Sequence, residues 1–157
     1  MSLSVPHDKT EKKIRFELEQ IDKLLKMYES LIDKSRTEKV DSVELAASAS
    51  VIHSFYNGVE NIFKLIAKNV DDSLPIGSNW HKKVLTQMND QTESRGKVIS
   101  DELLDDILRY LAFRHFYRHS YSFVLDWKEM EGLIVDLPDV QNRFKKEIER
   151  FLDDNSQ

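Results

Sequence analysis

The sequence predicts an all-α protein, an antiparallel helical bundle of about five or six helices. Only four glycines and three prolines occur in 157 residues, whereas an all-β fold needs these residues in its frequent turns. Apolar residues also recur at intervals of three, four and seven, which is typical of helices with one buried face. The length suits a single core. We therefore expect one domain over residues 1–157, with short tails at about 1–8 and 154–157.

Two long helices are expected in the N-terminal half. The first spans about residues 9–35 and has two apolar rows with a spacing of seven. These rows consist of Ile14, Ile21 and Tyr28, and of Leu18, Leu25 and Ile32. The second helix should begin near Asp41 or Ser42, which are both favourable N-caps. It should continue to about Asn69, where a segment with Pro and Gly (71–78) ends it.

In the second half of the chain, the sequence predicts shorter helices. A short helix should span about 79–88, and the polar segment 89–97 is expected to be a mobile loop. Ser100 or Asp101 then caps a fourth helix, which should end in a bend after about residue 120.

Two further helices are expected at the C-terminus. One should run from about Asp126 to Val135. Pro138 fits the first turn of the last helix, because the missing N–H of proline is not needed there.

Composition excludes several classes of function. The chain has no cysteine, which rules out disulfides, cysteine-built zinc clusters and thiol nucleophiles. Its N-terminus lacks the apolar core of a signal peptide, and no apolar run approaches the roughly 18 residues of a membrane span. We therefore expect a soluble cytoplasmic protein that does not enter a membrane. The net charge of −5 means that any contact with RNA must use a local basic patch.

Several polar residues outside the segment 109–119 are also candidates for a functional role. His53 and Glu60 are seven apart and share a helix face, but a solvated pair at the edge is the favoured interpretation. Trp80, next to His81, is expected to anchor the short helix on the core. The Asp-Asp pairs at 71–72, 105–106 and 153–154 have no histidine at a ligand spacing beside them, so no metal site or cofactor is expected.

Arg114 and Arg118 interrupt the pattern of the fourth helix. On a helical wheel measured from Leu103 they fall at about 20° and 60°, in the same arc as Ile107 and Leu111. A buried guanidinium without a partner is costly. Either the helix leaves the core at this point, or these arginines line a polar cleft.

The segment around these arginines is both basic and aromatic. From Arg109 to His119 there are three arginines, two histidines and no acid, interleaved with four aromatic residues. This combination suits phosphate contact and base stacking. The alternative is an aromatic stripe that lines the core, with solvated arginines at its edge.

Arg114 and His119 form an R-x4-H arrangement. A histidine can take the proton from a ribose 2′-OH or protonate the leaving oxygen, while an arginine can hold the phosphate. Neither role needs a metal. The spacing puts the two side chains about 140° apart on an ideal helix, so they converge only through a backbone turn or a second subunit. Arg109 and His115 form a second match, R-x5-H, so the motif by itself leaves the assignment open.

The stretch 113–152 resembles the C-terminal half of HepT-like HEPN proteins. In that family an R-x4-H-x-Y motif is followed by a helix, a Leu-Pro step and a final amphipathic helix. These elements correspond here to Arg114, His119, Tyr121, Leu137, Pro138 and the helix from about Asp139. The segment 54–67 is similar to the family's second helix, and the resemblance covers about residues 10–153.

The resemblance implies the ribonuclease toxin of a toxin–antitoxin pair, with Arg114 and His119 as the catalytic pair. Tyr121 matches the tyrosine that a partner nucleotidyltransferase, the MNT-type antitoxin, modifies with AMP to silence the toxin. A homodimer is also implied, with active sites near the subunit interface. His115 departs from the family, because many relatives carry Asn or Asp directly after the arginine.

The sequence-based hypothesis is a metal-independent endoribonuclease with RNA as its substrate. Arg114 grips the scissile phosphate, His119 is the general base or acid, and His115, Tyr117 and Arg118 support RNA binding. The main alternative is a non-catalytic helical module that docks beside a nucleotidyltransferase. A plain oligomerisation bundle is a third possibility.

Overall fold

The computed structural model describes residues 4–121 and 124–155, with side chains from residue 8 onward. The helices in these ranges are α1 (Ser4–Met27), α2 (Glu29–Thr37), α3 (Ser42–Asn69), α4 (Trp80–Met88), α5 (Asp101–Arg118) and α6 (Trp127–Asp154). The described ranges contain no β-strand, which confirms the all-α class. The expected tails lie partly outside these ranges. No helix of the described ranges combines the length and apolar character needed to cross a membrane.

Helix α3 lies at the centre of the bundle and contacts each of the other helices. It begins with a capping box, in which the side chains of Asp41 and Glu44 each accept a hydrogen bond from the other's backbone N–H. Gly58 allows α1 to pack closely, because a Cβ at this position would lie 2.7 Å from Cγ1 of Ile21. The predicted start at Asp41 and end at Asn69 are confirmed.

The prediction of one uninterrupted first helix is wrong. Tyr28, with φ −104° and ψ 18°, separates α1 from α2. The hydrogen bonds nevertheless continue: the Tyr28 N–H donates to the carbonyl of Leu24 (3.2 Å), and the Ile32 N–H donates to the carbonyl of Tyr28 (3.0 Å). The break is therefore a local distortion. It leaves the seven-residue spacing intact, so the apolar pattern could not reveal it.

The prediction of two C-terminal helices is also wrong, because α6 continues through Pro138. Proline in a helix interior removes a hydrogen bond and costs about 3 kcal/mol. The buried residues of α6 form one seam on both sides of the proline: Met130, Leu133, Ile134, Leu137, Val140, Gln141, Phe144, Ile148, Phe151 and Leu152. Burial of this seam against the bundle offsets the lost hydrogen bond.

The segment 89–97 is held by a buried ion pair, contrary to the expectation of a mobile loop. The guanidinium of Arg95 donates through Nε and Nη2 to the two carboxylate oxygens of Asp71, both at 2.7 Å. It also donates to three backbone carbonyls, those of Gln87, Asp90 and Gly96. The loop is thereby fixed to the segment that follows α3.

The start of α5 is fixed against α6. As predicted, Ser100 is the N-cap, and its hydroxyl accepts a hydrogen bond from the Leu103 N–H (3.2 Å). Glu147 of α6 in turn accepts from the backbone N–H and the hydroxyl of Ser100, at 2.7 and 2.9 Å. This double contact sets the position of α5, which carries the basic segment.

Candidate active site

Helix α5 stays regular through Arg118 and does not leave the core. Its buried residues are Leu103, Ile107, Tyr110, Leu111 and Phe113. Arg114 is half-buried, whereas Arg118 is exposed. Arg114 belongs to a group of polar side chains where α3, α4 and α5 meet, which we call the polar cluster. The polar cluster consists of His53, Tyr56, Glu60, His81, Arg114 and His115.

Arg114 is held in the polar cluster without an acidic partner. Its Nε is buried and has no hydrogen-bond partner within the described part of the chain. Its charge affects His53 on α3. Burial lowers the pKa of His53, and the positive charges of Arg114 and Arg118 lower this pKa further. A guanidinium in this state can complete its hydrogen bonds by binding an anion.

Glu60 is the acid of the polar cluster, and its burial contradicts the expected solvated pair with His53. Its side chain is 7% exposed. The Tyr56 hydroxyl donates to Oε2 of Glu60 at 2.7 Å, and Nδ1 of His81 lies 2.7 Å from the same oxygen. Burial, together with this hydrogen bond, raises the pKa of Tyr56 well above its ordinary range, so the hydroxyl keeps its proton. Glu60 therefore orients His81 of α4.

His81 connects α4 to the basic segment of α5. Its ring centroid lies 3.8 Å from that of Trp80 and 6.2 Å from that of His115, the residue after Arg114. Trp80 packs against the core, as expected for an anchor. The Lys64 ammonium lies 5.4 Å from the Trp80 ring, within the range of a cation–π contact.

The three residues predicted to support RNA binding occupy different environments. His115 and Arg118 are exposed. Tyr117 is half-buried between two rings, with centroids 5.0 Å from His53 and 5.8 Å from Phe113. Their role in RNA binding stays a prediction.

His119 and Tyr121 lie beyond the end of α5. His119 is the exposed C-cap, and its backbone (φ −113°, ψ 10°) begins the bend expected near residue 120. Tyr121 is 75% exposed. No hydrogen bond or ring contact joins Arg114 to His119 within residues 4–121 and 124–155. The assignment of Arg114 and His119 as the catalytic pair stays a prediction.

Arg109, the arginine of the second motif match, has a structural role. Its guanidinium pairs with Asp106 at 3.2 Å and with Asp136 of α6 at 3.4 Å. Gly132 of α6 leaves room for it, since a Cβ there would lie 3.1 Å from Nη2 of Arg109. His115 contacts His81 instead. Arg109 therefore ties α5 to α6.

The side chains of the polar cluster suit anion binding and proton transfer. They comprise imidazoles, one buried carboxylate and a guanidinium, which are the groups used for these tasks. No group of three His, Asp or Glu side chains in the described ranges is arranged to hold a metal ion.

Sequence reasoning missed the roles of Tyr56 and His81. A signal for a buried acceptor was present, because Glu60 interrupts the apolar rows of α3 and lies four positions after Tyr56. No sequence signal placed His81 against Glu60, since the two are 21 positions apart and on different helices.

Comparison with known proteins assigns the chain to a family. Residues 47–155, which are 109 of the 157 residues, match the family described as HepT-like protein. The matched region contains the polar cluster, His119 and Tyr121. Neither the curated proteins nor the solved structures gave a significant match. On the strength of the family match, the chain belongs to the HepT-like protein family.

Proposed function

We propose that this chain is a metal-independent endoribonuclease, the toxin of a toxin–antitoxin pair, which cleaves single-stranded or looped RNA in the cytoplasm. The observation that carries the proposal is Arg114, a half-buried guanidinium whose Nε has no partner among the described residues. It lies near His53 of α3, and Glu60, the acid of the polar cluster, is bound by Tyr56 and His81. An RNA phosphate offers the acceptors that such a guanidinium lacks.

In this proposal the residues at the end of α5 have different roles in RNA binding and cleavage. Arg114 holds the scissile phosphate and stabilises the additional negative charge as the ribose 2′-oxygen attacks phosphorus. His119 transfers a proton. His115 and Arg118, both exposed, contact neighbouring phosphates, and Tyr117 offers a surface for stacking of a base.

A homodimer completes the site in this proposal. No hydrogen bond or ring contact joins Arg114 to His119 in the described ranges, as expected for side chains about 140° apart on a helix. A two-fold axis near the C-terminal end of α5 would face each Arg114 with the second copy of His119. Light scattering is expected to show a dimer, and a fully active monomer would contradict this arrangement.

The proposal is tested by RNA cleavage in EDTA with the wild type, Arg114→Ala, His119→Ala and the control Arg109→Ala. The wild type and the control are expected to cut. The other two variants should lose roughly 10²- to 10³-fold in rate, with unchanged unfolding midpoints. Equal cleavage by all four would indicate a contaminating nuclease or another site. A pure wild-type dimer that cuts no RNA would reject the nuclease.

We further propose that an MNT-type nucleotidyltransferase silences the toxin by attaching AMP to Tyr121. This side chain is exposed and lies two residues after His119, so a second protein can reach it. The phosphate of the attached AMP would compete with RNA for the nearby basic groups. Tyr121→Phe should still cleave RNA but resist silencing. Silencing of Tyr121→Phe to the wild-type extent would contradict the assignment.

The non-catalytic docking module is the second candidate function. The lack of a direct contact between Arg114 and His119 in the described ranges favours it, because such a module needs no assembled catalytic pair. Stable binding to a nucleotidyltransferase, together with no RNA cleavage by the unmodified dimer, would establish this alternative.

A further inference from the structure

Cleavage of RNA through its 2′-oxygen involves two proton transfers. One proton leaves the 2′-hydroxyl, and another joins the departing 5′-oxygen. Arg114 cannot perform either transfer, because a guanidinium keeps its proton in proteins. Because the proposed dimer provides one His119 for each of its two sites, the pair of Arg114 and His119 supplies one proton-transfer group, and a second group is required.

Three histidines near Arg114 are candidates for the second group. His53 is unsuitable because burial and two arginines lower its pKa and its Nδ1 is buried without a partner among the described residues. His115 is exposed and contacts the His81 ring, with no carboxylate to orient it in the described ranges. His81 is bound to the carboxylate of Glu60.

The contact with Glu60 prepares His81 to accept a proton. Because the carboxylate accepts at Nδ1, the neutral ring carries its hydrogen there and presents a lone pair at Nε2. The side chain is 13% exposed, so Nε2 can be reached from outside. When Nε2 gains a proton, the buried carboxylate stabilises the resulting imidazolium.

Two contacts relate His81 to Arg114. The ring of His115, which follows Arg114 in α5, lies 6.2 Å from the His81 ring. On the other side, Tyr56 and His81 both contact Oε2 of Glu60. The positive charge of Arg114 acts on the same tyrosine and favours a lower pKa of its hydroxyl. His81 and Arg114 thus both interact with the pair formed by Tyr56 and Glu60, His81 through a hydrogen bond and Arg114 through its charge.

We propose that His81, oriented by Glu60, is the general base of the RNA cleavage and that His119 is the general acid; this inference rests on the proposed function. Nε2 of His81 takes the proton of the 2′-hydroxyl as the 2′-oxygen bonds to phosphorus. The bond from phosphorus to the 5′-oxygen breaks, and that oxygen leaves with a proton from His119. The products are a 2′,3′-cyclic phosphate and a 5′-hydroxyl end, without any other reactant.

The test uses His81→Asn, because the asparagine amide can replace Nδ1 at Glu60 while Nε2 is removed. Single-turnover rates are measured on ordinary RNA and on RNA with sulfur in place of the bridging 5′-oxygen. A thiolate leaves without protonation, so this RNA needs a base but no acid. His81→Asn should slow both substrates by about 10²- to 10⁴-fold. His119→Ala should slow only the ordinary RNA.

Glu60 is a positioning residue in this mechanism and has its own test. Glu60→Gln keeps the size of the side chain but removes the charge that stabilises the imidazolium. It should lower kcat roughly 10- to 100-fold and leave KM unchanged. Combined with His81→Asn, it should cause no further loss, because both changes affect the same proton transfer. If Glu60 had a purely structural role, the loss of rate caused by Glu60→Gln would instead add to the loss caused by His81→Asn.

Thr86→Ala is the matched control on α4, because the Thr86 hydroxyl bonds only to carbonyls of its own helix. It should cleave both substrates like the wild type. Wild-type rates in a folded His81→Asn would overturn the inference and leave the nuclease intact. Rescue of His81→Asn, but not of His119→Ala, by the sulfur substrate would overturn the assignment of base and acid. An inactive wild type would reject the proposed function itself.

Discussion

Arg95 and Arg114 are both withdrawn from solvent, but their surroundings are opposite. The Arg95 side chain is 0% exposed and donates five hydrogen bonds, two of them to Asp71. The buried Nε of Arg114 has no partner in the described part of the chain. One guanidinium is fully satisfied by the fold, and the other is not.

We interpret the difference as that between a structural arginine and a functional one. Removing a guanidinium from water is costly, and the fold offsets this cost for Arg95 with an ion pair and three carbonyls. The buried Nε of Arg114 has no such partner among the described residues. Perturbed and unsatisfied charged groups are concentrated at functional sites, so we interpret Arg114 as a group held ready for an anion.

The largest expected effect is the loss of stability in Arg95→Met. This change leaves the carboxylate of Asp71, which is 4% exposed, buried and unpaired. The free energy of unfolding should fall by about 3–5 kcal/mol, as measured by urea denaturation. Arg109→Ala is the control and should cost less than about 1 kcal/mol, because its ion pairs are partly exposed. Equal losses of unfolding free energy in Arg95→Met and Arg109→Ala would contradict the structural role of Arg95.

Arg114→Met should behave in the opposite way to Arg95→Met. Because an unsatisfied buried N–H costs about 1–3 kcal/mol, an apolar side chain of similar length should keep or raise the stability, by about 1 kcal/mol. The same denaturation series measures this effect. A loss comparable to that of Arg95→Met would show that Arg114 stabilises the fold and would weaken its interpretation as an anion site.

The smallest expected effect is a change in the pH dependence of stability in His53→Gln. The pKa of His53 in the folded chain lies below its ordinary value of 6.5. As the pH falls below 6.5, the unfolded chain therefore binds a proton that the folded chain does not, and stability decreases. His53→Gln should reduce this decrease in thermal unfolding measured between pH 7 and pH 5. An unchanged pH profile would argue against the lowered pKa of His53.

The architecture was largely predictable because it depends on local periodicity. The caps at Asp41 and Ser100 and the end of α3 at Asn69 follow from side chains close in sequence. The continuous helix through Pro138 was not predictable, because it depends on the packing of a seam against distant helices. The ordered loop at Arg95 was missed for a similar reason, since its partner Asp71 is 24 positions away.

The candidate site was predictable only in part. The sequence singled out Arg114 because a charge continued an apolar stripe, and the structure gives a physical basis for that anomaly. Glu60 was weighed, but as a solvated residue, and the pairing of Glu60 with His81 depends on how α3 meets α4. The pairing of Arg114 with His119 was proposed from the motif and from the resemblance, and in our proposal it depends on a dimer.

The most direct test of the account is RNA binding by the His119→Ala chain with and without Arg114→Met, over a series of salt concentrations. The background variant is expected to cleave RNA slowly, so binding is measured separately from chemistry. The account predicts weaker binding and a slope of log affinity against log salt that is smaller by about 0.7 for each lost phosphate contact. An unchanged affinity and slope would show that Arg114 does not hold an RNA phosphate.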